Sequence, residues 1–294
     1  MDAFESVIAK IVRQGGMAVA LGGMDSGKST FIRMCATVAL RFGKTVAYLD
    51  TDVGQTTVGP PTTVGLRYLK SEGDLEPDVL ARADAMYFVG DTSPQGHLLP
   101  IVVGATKLAD QARASGVDLV LVDTTGFIGG TVGQMLKLHK LEMLRPDIVV
   151  GFQRGGELEP ILGAVRRSLP VAVESLPVPE GVRPRSFDER IAARQDRLKA
   201  IFEPPVHRWK VKPSVLIPQI PPDLDLSILD GLLVGMEDGN GTCLGLGILE
   251  FREATLRMIS GVAEGAKALR LGTTRVTSEF LTVRVDLRDI FISE

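Results

Sequence analysis

Cysteine and histidine are scarce in this sequence of 294 residues, which contains two cysteines and three histidines. Cys35 and Cys243 lie in unrelated apolar segments without metal-ligand spacing, so the sequence indicates neither a disulfide framework nor a zinc site. His97, His139 and His207 are too scattered along the chain to suggest a metal site. Other residue types therefore have to supply the catalytic or binding groups.

Long apolar runs and an excess of positive charge are also absent. No apolar run approaches the roughly 18 residues that a transmembrane helix needs. The N-terminus, Met-Asp-Ala-Phe-Glu, is acidic where a secretory signal peptide is basic. The formal net charge is −3, so a nucleic-acid partner would require a local basic patch. Hydrophobic residues make up 45%, and we expect a cytoplasmic, globular protein that does not contact a membrane.

Apolar, strand-like runs alternate with helical patterns in the first two-thirds of the chain. The runs at 17–21, 45–49 and 118–122 are apolar throughout, which is typical of parallel strands covered on both faces. The sequence therefore predicts an α/β fold with a doubly wound parallel sheet.

Proline becomes frequent after about residue 201, and Gly-rich, β-prone stretches replace the helical patterns. This change in composition and in predicted secondary structure indicates two domains. The first spans residues 1–204, and the second is a smaller, β-rich C-terminal domain at 205–294.

The segment Gly22–Thr30 carries a complete phosphate-loop pattern. Its sequence, GGMDSGKST, fits G-x-x-x-x-G-K-[ST] and lies between a predicted strand and a predicted helix. Glycines let backbone N–H groups turn towards phosphates, and the helix N-terminus adds partial positive charge. Lys28 is expected to reach the β- and γ-phosphates and Ser29 to bind Mg²⁺. The first domain is thus predicted to be of the P-loop NTPase type, with nucleotide-binding residues Gly23, Met24, Asp25, Ser26, Gly27, Lys28, Ser29 and Thr30.

Aspartates follow two further predicted strands at the same edge of the sheet. Asp50 and Asp52 come after the run at 45–49, and Asp123 ends the run at 118–122. Ligands bind at the carboxyl edge of open α/β sheets, and carboxylates there can hold Mg²⁺ or act as a base towards a hydroxyl. The predicted metal ligands are Ser29, Asp50, Asp52 and Asp123. Asp50 or Asp123 could instead cap a turn, and the sequence does not decide which of the two is the second metal partner.

Five motifs, in order, resemble the RNA 5′-hydroxyl polynucleotide kinase family. They span residues 22–197 and are the phosphate loop, Asp50–Gln55 (DTDVGQ), Phe88–Pro94 (FVGDTSP), Thr124–Phe127 (TTGF) and Arg190–Arg194 (RIAAR). The family includes the kinase subunit of the eukaryotic pre-mRNA cleavage and tRNA-splicing machinery, ribosomal-RNA-processing kinases and shorter archaeal enzymes. Each motif after the phosphate loop is weak alone, but five in family order make a specific match.

The resemblance implies catalytic roles for Lys28, Asp52, Arg190 and Arg194. Asp52 aligns with the family's catalytic aspartate and would orient or deprotonate the RNA 5′-hydroxyl, with Gln55 helping to position metal or substrate. Arg190 and Arg194 resemble the family's lid, placed here at about 181–202. As i, i+4 partners they project from one helix face and can clamp a triphosphate. The alternative is a solvated amphipathic helix.

The resemblance also implies substrate contacts in two loops. Thr124–Phe127 resembles the family's clasp, in which Phe127 stands where Trp is usual. Phe127 keeps an aromatic face for stacking but lacks the indole N–H. The alternative is that Phe127 packs in the core. The segment Asp91–His97, which follows a predicted strand at Met86–Val89 (MYFV), would contact the nucleic-acid backbone, unless it only caps a helix. The implied substrate-binding residues are Gln55, Thr92, Ser93, Thr124, Thr125, Gly126 and Phe127.

The resemblance therefore implies a polynucleotide 5′-hydroxyl kinase. It would transfer the γ-phosphate of ATP or GTP, with Mg²⁺, to the 5′-hydroxyl of RNA, with DNA as a second acceptor. One alternative is a nucleotide-switched P-loop ATPase, although the loop lacks the additional lysine typical of that class. Another is a catalytically silent ATP-binding scaffold in RNA processing, against which the intact Lys28, Asp52, Arg190 and Arg194 argue.

Only about 20 residues precede the phosphate loop, whereas the eukaryotic members carry a β-rich domain there. We therefore expect a compact, prokaryotic-type kinase. Its expected partner is a 5′-hydroxyl RNA or DNA end, with no obligate protein partner.

Overall fold

A computed structural model describes residues 2–287, and this part of the chain forms two seven-stranded sheets. The first sheet has the spatial order β4-β3-β2-β5-β1-β6-β7. Its strands are β1 (Gly16–Gly22), β2 (Val46–Thr51), β3 (Thr63–Leu69), β4 (Ala85–Phe88), β5 (Leu119–Thr124), β6 (Ile148–Gln153) and β7 (Ala172–Pro177). The neighbouring strands β2, β5, β1, β6 and β7 run parallel, which confirms the predicted doubly wound core.

One strand next to the edge of the first sheet, β3, runs against the direction of the others and was not predicted. β3 pairs antiparallel with both β2 and β4. The chain returns from β2 to β3 through the loop at 52–62 without a helix. A neighbouring parallel strand would require a longer crossover, so this short return imposes the antiparallel direction.

Helices cover both faces of the first sheet. They are α1 (Ala3–Gln14), α2 (Lys28–Arg41), α3 (Pro77–Leu80), α4 (Leu98–Ala114), α5 (Gly130–Leu144) and α6 (Glu159–Ser168), whereas α7 (Phe187–Ile201) packs with the second sheet and the edge strand β4. Successive residues of β1 point to opposite faces. Met17, Val19 and Leu21 pack with α4, α5 and α6, whereas Ala18 and Ala20 pack with α1 and α2. None of the helices within residues 2–287 is both long and apolar enough to cross a membrane.

The second sheet confirms the predicted β-rich C-terminal region. Its strands are β8 (His207–Lys210), β9 (Leu216–Ile217), β10 (Leu232–Glu237), β11 (Cys243–Arg252), β12 (Thr255–Ser260), β13 (Ala268–Val276) and β14 (Thr282–Arg284). The order is β14-β13-β10-β11-β12-β8, and β9 pairs with β13. The boundary between residues 204 and 205 stays a prediction, and residues 288–294 of the predicted second domain lie outside the described part.

Phe88, at the end of β4, packs between the two sheets and the last helix. Its side chain is 1% exposed and belongs to a cluster with Leu198 and Phe202 from the α7 region and Leu233 and Leu246 from the second sheet. The second sheet and α7 therefore pack against the edge of the first sheet through one shared apolar cluster.

Replacing Phe88 by alanine is expected to lower the free energy of unfolding by about 3–5 kcal/mol, because the cavity would open where three elements meet. The matched control is Phe42→Ala, since Phe42 is 76% exposed and its loss leaves no cavity. Chemical denaturation of both variants, followed by circular dichroism, measures the difference. Similar losses of stability in the two variants would contradict the packing role of Phe88.

Candidate active site

A cleft of about 580 Å³ opens where β1, β2 and β5 end. The phosphate loop, the loop after β2, the end of β5 and helix α7 form its walls. The cleft brings together most of the residues selected from the sequence, namely Met24, Asp25, Ser26, Gly27, Lys28, Ser29, Thr30, Asp52, Gln55, Thr124, Gly126, Arg190 and Arg194.

The phosphate loop connects β1 directly to α2. Gly27 precedes the helix with a φ of +85°, in the left-handed region that favours glycine. Lys28 Nζ donates to the carbonyl of Gly23 at 2.6 Å and to Ser26 Oγ at 3.2 Å. Burial lowers the pKa of Lys28, while Asp123 and Asp52 raise it. Gly23 thus contacts the lysine through its carbonyl, although it does not line the cleft.

Asp50 does not fit the predicted role of metal ligand. The side chain is buried, and its Oδ1 accepts a hydrogen bond from the amide of Asp52 at 2.9 Å. Its Oδ2 accepts from the amides of Val58 (3.0 Å) and Thr57. Burial and the neighbouring Asp123 and Asp52 raise the pKa of Asp50 to about 8. Both oxygens accept hydrogen bonds from backbone amides, so Asp50 shapes the loop after β2. This agrees with the alternative, considered from the sequence, that Asp50 caps a turn.

The surroundings of Asp123 fit the predicted role of metal ligand better than those of Asp50. It is buried, and its Oδ2 accepts from the Tyr48 hydroxyl at 3.1 Å, whereas Oδ1 has no hydrogen-bond partner within residues 2–287. Burial raises the pKa of Asp123, and the Lys28 ammonium and Ser29 hydroxyl lower it. A buried carboxylate oxygen without a partner, close to a serine hydroxyl, fits a Mg²⁺ ion.

Protein side chains alone do not complete such a metal site. The described part of the chain contains no group of three or more His, Cys, Asp or Glu side chains arranged to hold a metal. Mg²⁺ usually keeps several waters and is bound by one or two carboxylates together with substrate phosphates. Ser29 and Asp123 would therefore hold the ion jointly with nucleotide phosphates.

Asp52 lines the cleft, and backbone amides hold one of its carboxylate oxygens. Its Oδ1 accepts from the amides of Gly54 (3.0 Å) and Gln55 (3.1 Å), which fixes the orientation of the group. Its Oδ2 has no hydrogen-bond partner in the part of the chain that the structure describes. An oriented carboxylate with one available oxygen can accept a proton or bind a metal.

The loop after β2 also contacts the lid region and the loop after β4. Gln55 Nε2 donates to the carbonyl of Arg190 at 3.3 Å. A Cβ on Gly54 would lie 2.6 Å from the carbonyl oxygen of Thr92, so this close approach of two backbones requires glycine. The loop that carries Asp52 is therefore packed between helix α7 and the loop after β4.

Helix α7 lies within the predicted lid and places its arginines over the phosphate loop. Ser186 and Glu189 form a reciprocal capping box at its start. The guanidinium of Arg190 pairs with the carboxylate of Asp25 in the phosphate loop. Arg194 lines the cleft with a buried Nε that has no hydrogen-bond partner within residues 2–287. Burial lowers the pKa of Arg194, while Asp52 raises it.

Several basic residues near this site were not among the site residues selected from the sequence, and three of them bear on its construction. Arg197 also lines the cleft, and its position seven residues after Arg190 places both on one helix face. Lys137 and Lys140 are fully buried in α5, behind the cleft. The detectable signal is two lysines among the leucines of the segment 136–141 (LKLHKL), where an apolar helix face is expected.

The predicted clasp is divided between the cleft and the core. Thr124 and Gly126 line the cleft, whereas Thr125 and Phe127 do not. Thr125 is buried, and its hydroxyl accepts from the amide of Phe127 at 3.3 Å. Phe127 is half-buried and packs against the apolar cluster beneath α4, α5 and α6. This placement agrees with the alternative of core packing and leaves no stacking surface of Phe127 in the cleft wall.

Thr92 and Ser93 lie beside the cleft rather than in its wall. The amide of Ser93 donates to Asp91 Oδ1 at 2.7 Å, which shapes the loop. The alternative prediction of a helix cap is wrong for both residues, because α4 begins at Leu98 and His97 is its N-cap residue. Contact of Thr92 and Ser93 with nucleic acid stays a prediction.

Gly126→Ala is expected to lower kcat/KM for the nucleotide-dependent reaction roughly 10- to 100-fold, because a small displacement of reacting groups has a large effect on rate. A Cβ on Gly126 would lie 2.6 Å from the amide nitrogen of Met24 and would push the phosphate loop away. Gly129→Ala is the matched control, since a Cβ there would meet nothing within 4 Å. Steady-state kinetics of both variants measure the effect, and equal rates would exclude the close approach.

The strand β1, its glycine-rich turn, helix α2 and the carboxylate at the end of β5 define a nucleotide-binding protein of the P-loop NTPase class. A family model described as mRNA cleavage and polyadenylation factor CLP1 P-loop matches residues 22–204. The chain belongs to this CLP1 P-loop family, which confirms the resemblance predicted from the sequence.

Named relatives extend the similarity beyond the P-loop region. The chain is 31% identical to the polyribonucleotide 5′-hydroxyl-kinase of Thermococcus kodakarensis, over 88% of each chain. It is 27% identical to the protein of the same name from Methanocaldococcus jannaschii, over 88% of this chain and 86% of that protein. Among solved structures, a wild-type Clp1p–Pcf11p complex matches with a TM-score of 0.70 at 14% identity, covering 92% of this chain and 77% of the other. The last similarity supports the fold alone.

Proposed function

We propose that this chain is a polyribonucleotide 5′-hydroxyl kinase that transfers the γ-phosphoryl group of ATP to the 5′-hydroxyl of RNA. The observation that carries the proposal is the meeting of three elements in one cleft. They are the phosphate loop, the available Oδ2 of Asp52 and the arginines of α7. Relatives that cover most of the chain bear the name of this activity.

The residues have complementary roles in the transfer. The RNA 5′-oxygen attacks the γ-phosphorus, the bond from that phosphorus to the β,γ-bridging oxygen breaks, and ADP leaves. Asp52 Oδ2 accepts the proton of the attacking hydroxyl. Ser29 and Asp123 would hold Mg²⁺, which offsets phosphate charge when it is bound.

The cations of the cleft have to exchange partners when nucleotide binds. Lys28 now contacts Gly23 and Ser26, and Arg190 now pairs with Asp25. Phosphate oxygens would replace these partners, so that Lys28 and Arg190 stabilise the charge that develops on the transferred group. Closure of α7 over the cleft would exclude water, which otherwise competes with the RNA hydroxyl as acceptor.

The proposal extends to the two predicted domains and to the partners. Residues 1–204, with the lid at about 181–202, would contain all the reacting groups, while 205–294 would support α7 through the cluster around Phe88. The partner is a 5′-hydroxyl RNA or DNA end, and transfer would need no second protein. Thr92, Ser93 and the clasp residues that line the cleft, Thr124 and Gly126, would contact the nucleic-acid end.

A transfer assay with the purified chain tests the proposal. It uses γ-labelled ATP or GTP with Mg²⁺ and three matched oligonucleotides, namely 5′-hydroxyl RNA, 5′-hydroxyl DNA and 5′-phosphate RNA. Label on the 5′-hydroxyl strands only would support the kinase and rank RNA against DNA and ATP against GTP. Nucleotide binding without transfer to any strand would contradict it and would favour the nucleotide-switched ATPase or the silent scaffold.

A further inference from the structure

Two lysines of α5 lie fully buried behind the cleft. Lys137 and Lys140 are 0% and 1% exposed, and neither lines the cleft. They are three residues apart and therefore lie on one face of the helix. Burying an ammonium group costs free energy unless the group is paired and hydrogen-bonded. The hydrogen-bond partners of the two lysines therefore indicate their role.

Lys140 connects the end of β2 to the end of β5. Its Nζ donates to Thr51 Oγ1 at 2.8 Å, and the Thr51 hydroxyl donates in turn to the carbonyl oxygen of Asp123 at 2.9 Å. A hydroxyl has one proton to donate, and this arrangement uses it together with an acceptor lone pair. β2 leads directly into Asp52, and β5 contains Asp123.

Lys137 makes the equivalent connection between β5 and β1. Its Nζ donates to Thr124 Oγ1 at 3.1 Å and also to the carbonyl of Thr125. The Thr124 hydroxyl then donates to the carbonyl oxygen of Ala20 at 2.7 Å. These two strands carry Asp123 and the phosphate loop.

The amino groups of the two lysines lie near the carboxylates of the site. Burial lowers the pKa of both groups, and the charges of Asp52 and Asp123 oppose this effect at each. Two buried lysine side chains therefore lie behind the buried Asp50 and Asp123 and the half-buried Asp52. Their hydrogen bonds connect the ends of β2 and β5 to helix α5, and the hydroxyl of Thr124 extends this connection to β1.

We propose that Lys137 and Lys140 are positioning residues for the reaction at this site. Through Thr124 and Thr51 they set the spacing between the ends of β1, β5 and β2. Lys140 fixes Asp52 relative to Asp123, and Lys137 fixes Asp123 relative to the phosphate loop. The part that concerns Lys140 rests on the proposed kinase function, whereas the part that concerns Lys137 requires only nucleotide binding with Mg²⁺.

Kinetics of Lys140→Met and Thr51→Val test the first connection. Each variant is expected to lower kcat by about 100-fold, because a displacement near 1 Å has an effect of this size, while the Kd for Mg·ATP stays within about threefold. The double variant should lose no more than the larger single loss, since both substitutions break one connection. Thr51→Val keeps the charge and nearly the same shape, so it decides the question if Lys140→Met does not fold.

Two control variants accompany these measurements. His139→Gln changes an exposed residue between the two lysines, and Thr106→Val removes a hydroxyl that donates to the carbonyl of Val102 within its own helix. Both should keep wild-type kcat. Wild-type kcat in Thr51→Val, or losses that add in the double variant, would overturn the role of Lys140. A merely structural role predicts a lower Tm with unchanged kcat per folded molecule.

ATP binding with and without Mg²⁺ tests the second connection independently of transfer. Lys137→Met and Thr124→Val should reduce the gain in ATP affinity on adding Mg²⁺ by at least about tenfold. Lys137 does not line the cleft, so Lys137→Met should retain its affinity for ATP alone. The full Mg²⁺ gain in both variants would overturn the role of Lys137. A wild-type chain that binds Mg·ATP but phosphorylates no 5′-hydroxyl strand would refute the kinase function and the role of Lys140 in it, and leave the Lys137 result standing.

Discussion

Replacing Asp52 by asparagine is expected to lower kcat for transfer to a 5′-hydroxyl RNA by about 1000-fold, the size of a general-base contribution. Asparagine keeps the shape and the Oδ1 acceptor for the amides of Gly54 and Gln55, but it cannot take the proton of the attacking hydroxyl. The Kd for Mg·ATP should change by less than about threefold, because Lys28, Ser29 and Asp123 remain in place.

The control for Asp52→Asn is Asp196→Asn, since Asp196 is exposed on the outer side of α7. Single-turnover transfer with saturating nucleotide separates the chemical step from binding. If Asp52→Asn transferred phosphate at the wild-type rate, Asp52 would not be the proton acceptor. If instead Mg·ATP binding failed, Asp52 would belong to the metal site.

Removing both lid arginines, as Arg190→Ala with Arg194→Ala, should lower kcat by about 1000-fold or more, in the range of arginines that stabilise phosphoryl transfer. The two guanidinium groups face the cleft from one helix, and the buried Nε of Arg194 has no protein partner within residues 2–287. Nucleotide should still bind, because the phosphate loop is untouched. Loss of the lid should also raise the share of ATP lost to hydrolysis among the remaining turnovers, since water is no longer excluded.

The matched control replaces Arg166 and Arg167 by alanine, because both are exposed near the end of α6 and far along the chain from the lid. It removes the same charge and should keep wild-type transfer. Rates of labelled-RNA and labelled-phosphate formation in one reaction give both readouts. Normal transfer by the variant without Arg190 and Arg194 would refute the assignment of α7 as the lid.

The sequence by itself determined the parts of this protein that depend on local pattern. Apolar runs such as 17–21 and 118–122 specify buried parallel strands, because a strand covered on both faces has no polar side. Gly22–Thr30 specifies the phosphate loop, because its glycine, lysine and serine act within one turn. The i, i+4 spacing of Arg190 and Arg194 places both on one helix face, which is a local property of the chain.

Only the tertiary structure decided which groups face the cleft and which support it from behind. Asp50 and Asp52 are two residues apart, yet the loop after β2 encloses the first with backbone amides and leaves an oxygen of the second available. Phe127 packs against the core, and Lys137 and Lys140 reach strand ends far away in the sequence. Such roles depend on contacts between distant segments, and spacing along one segment does not contain that information.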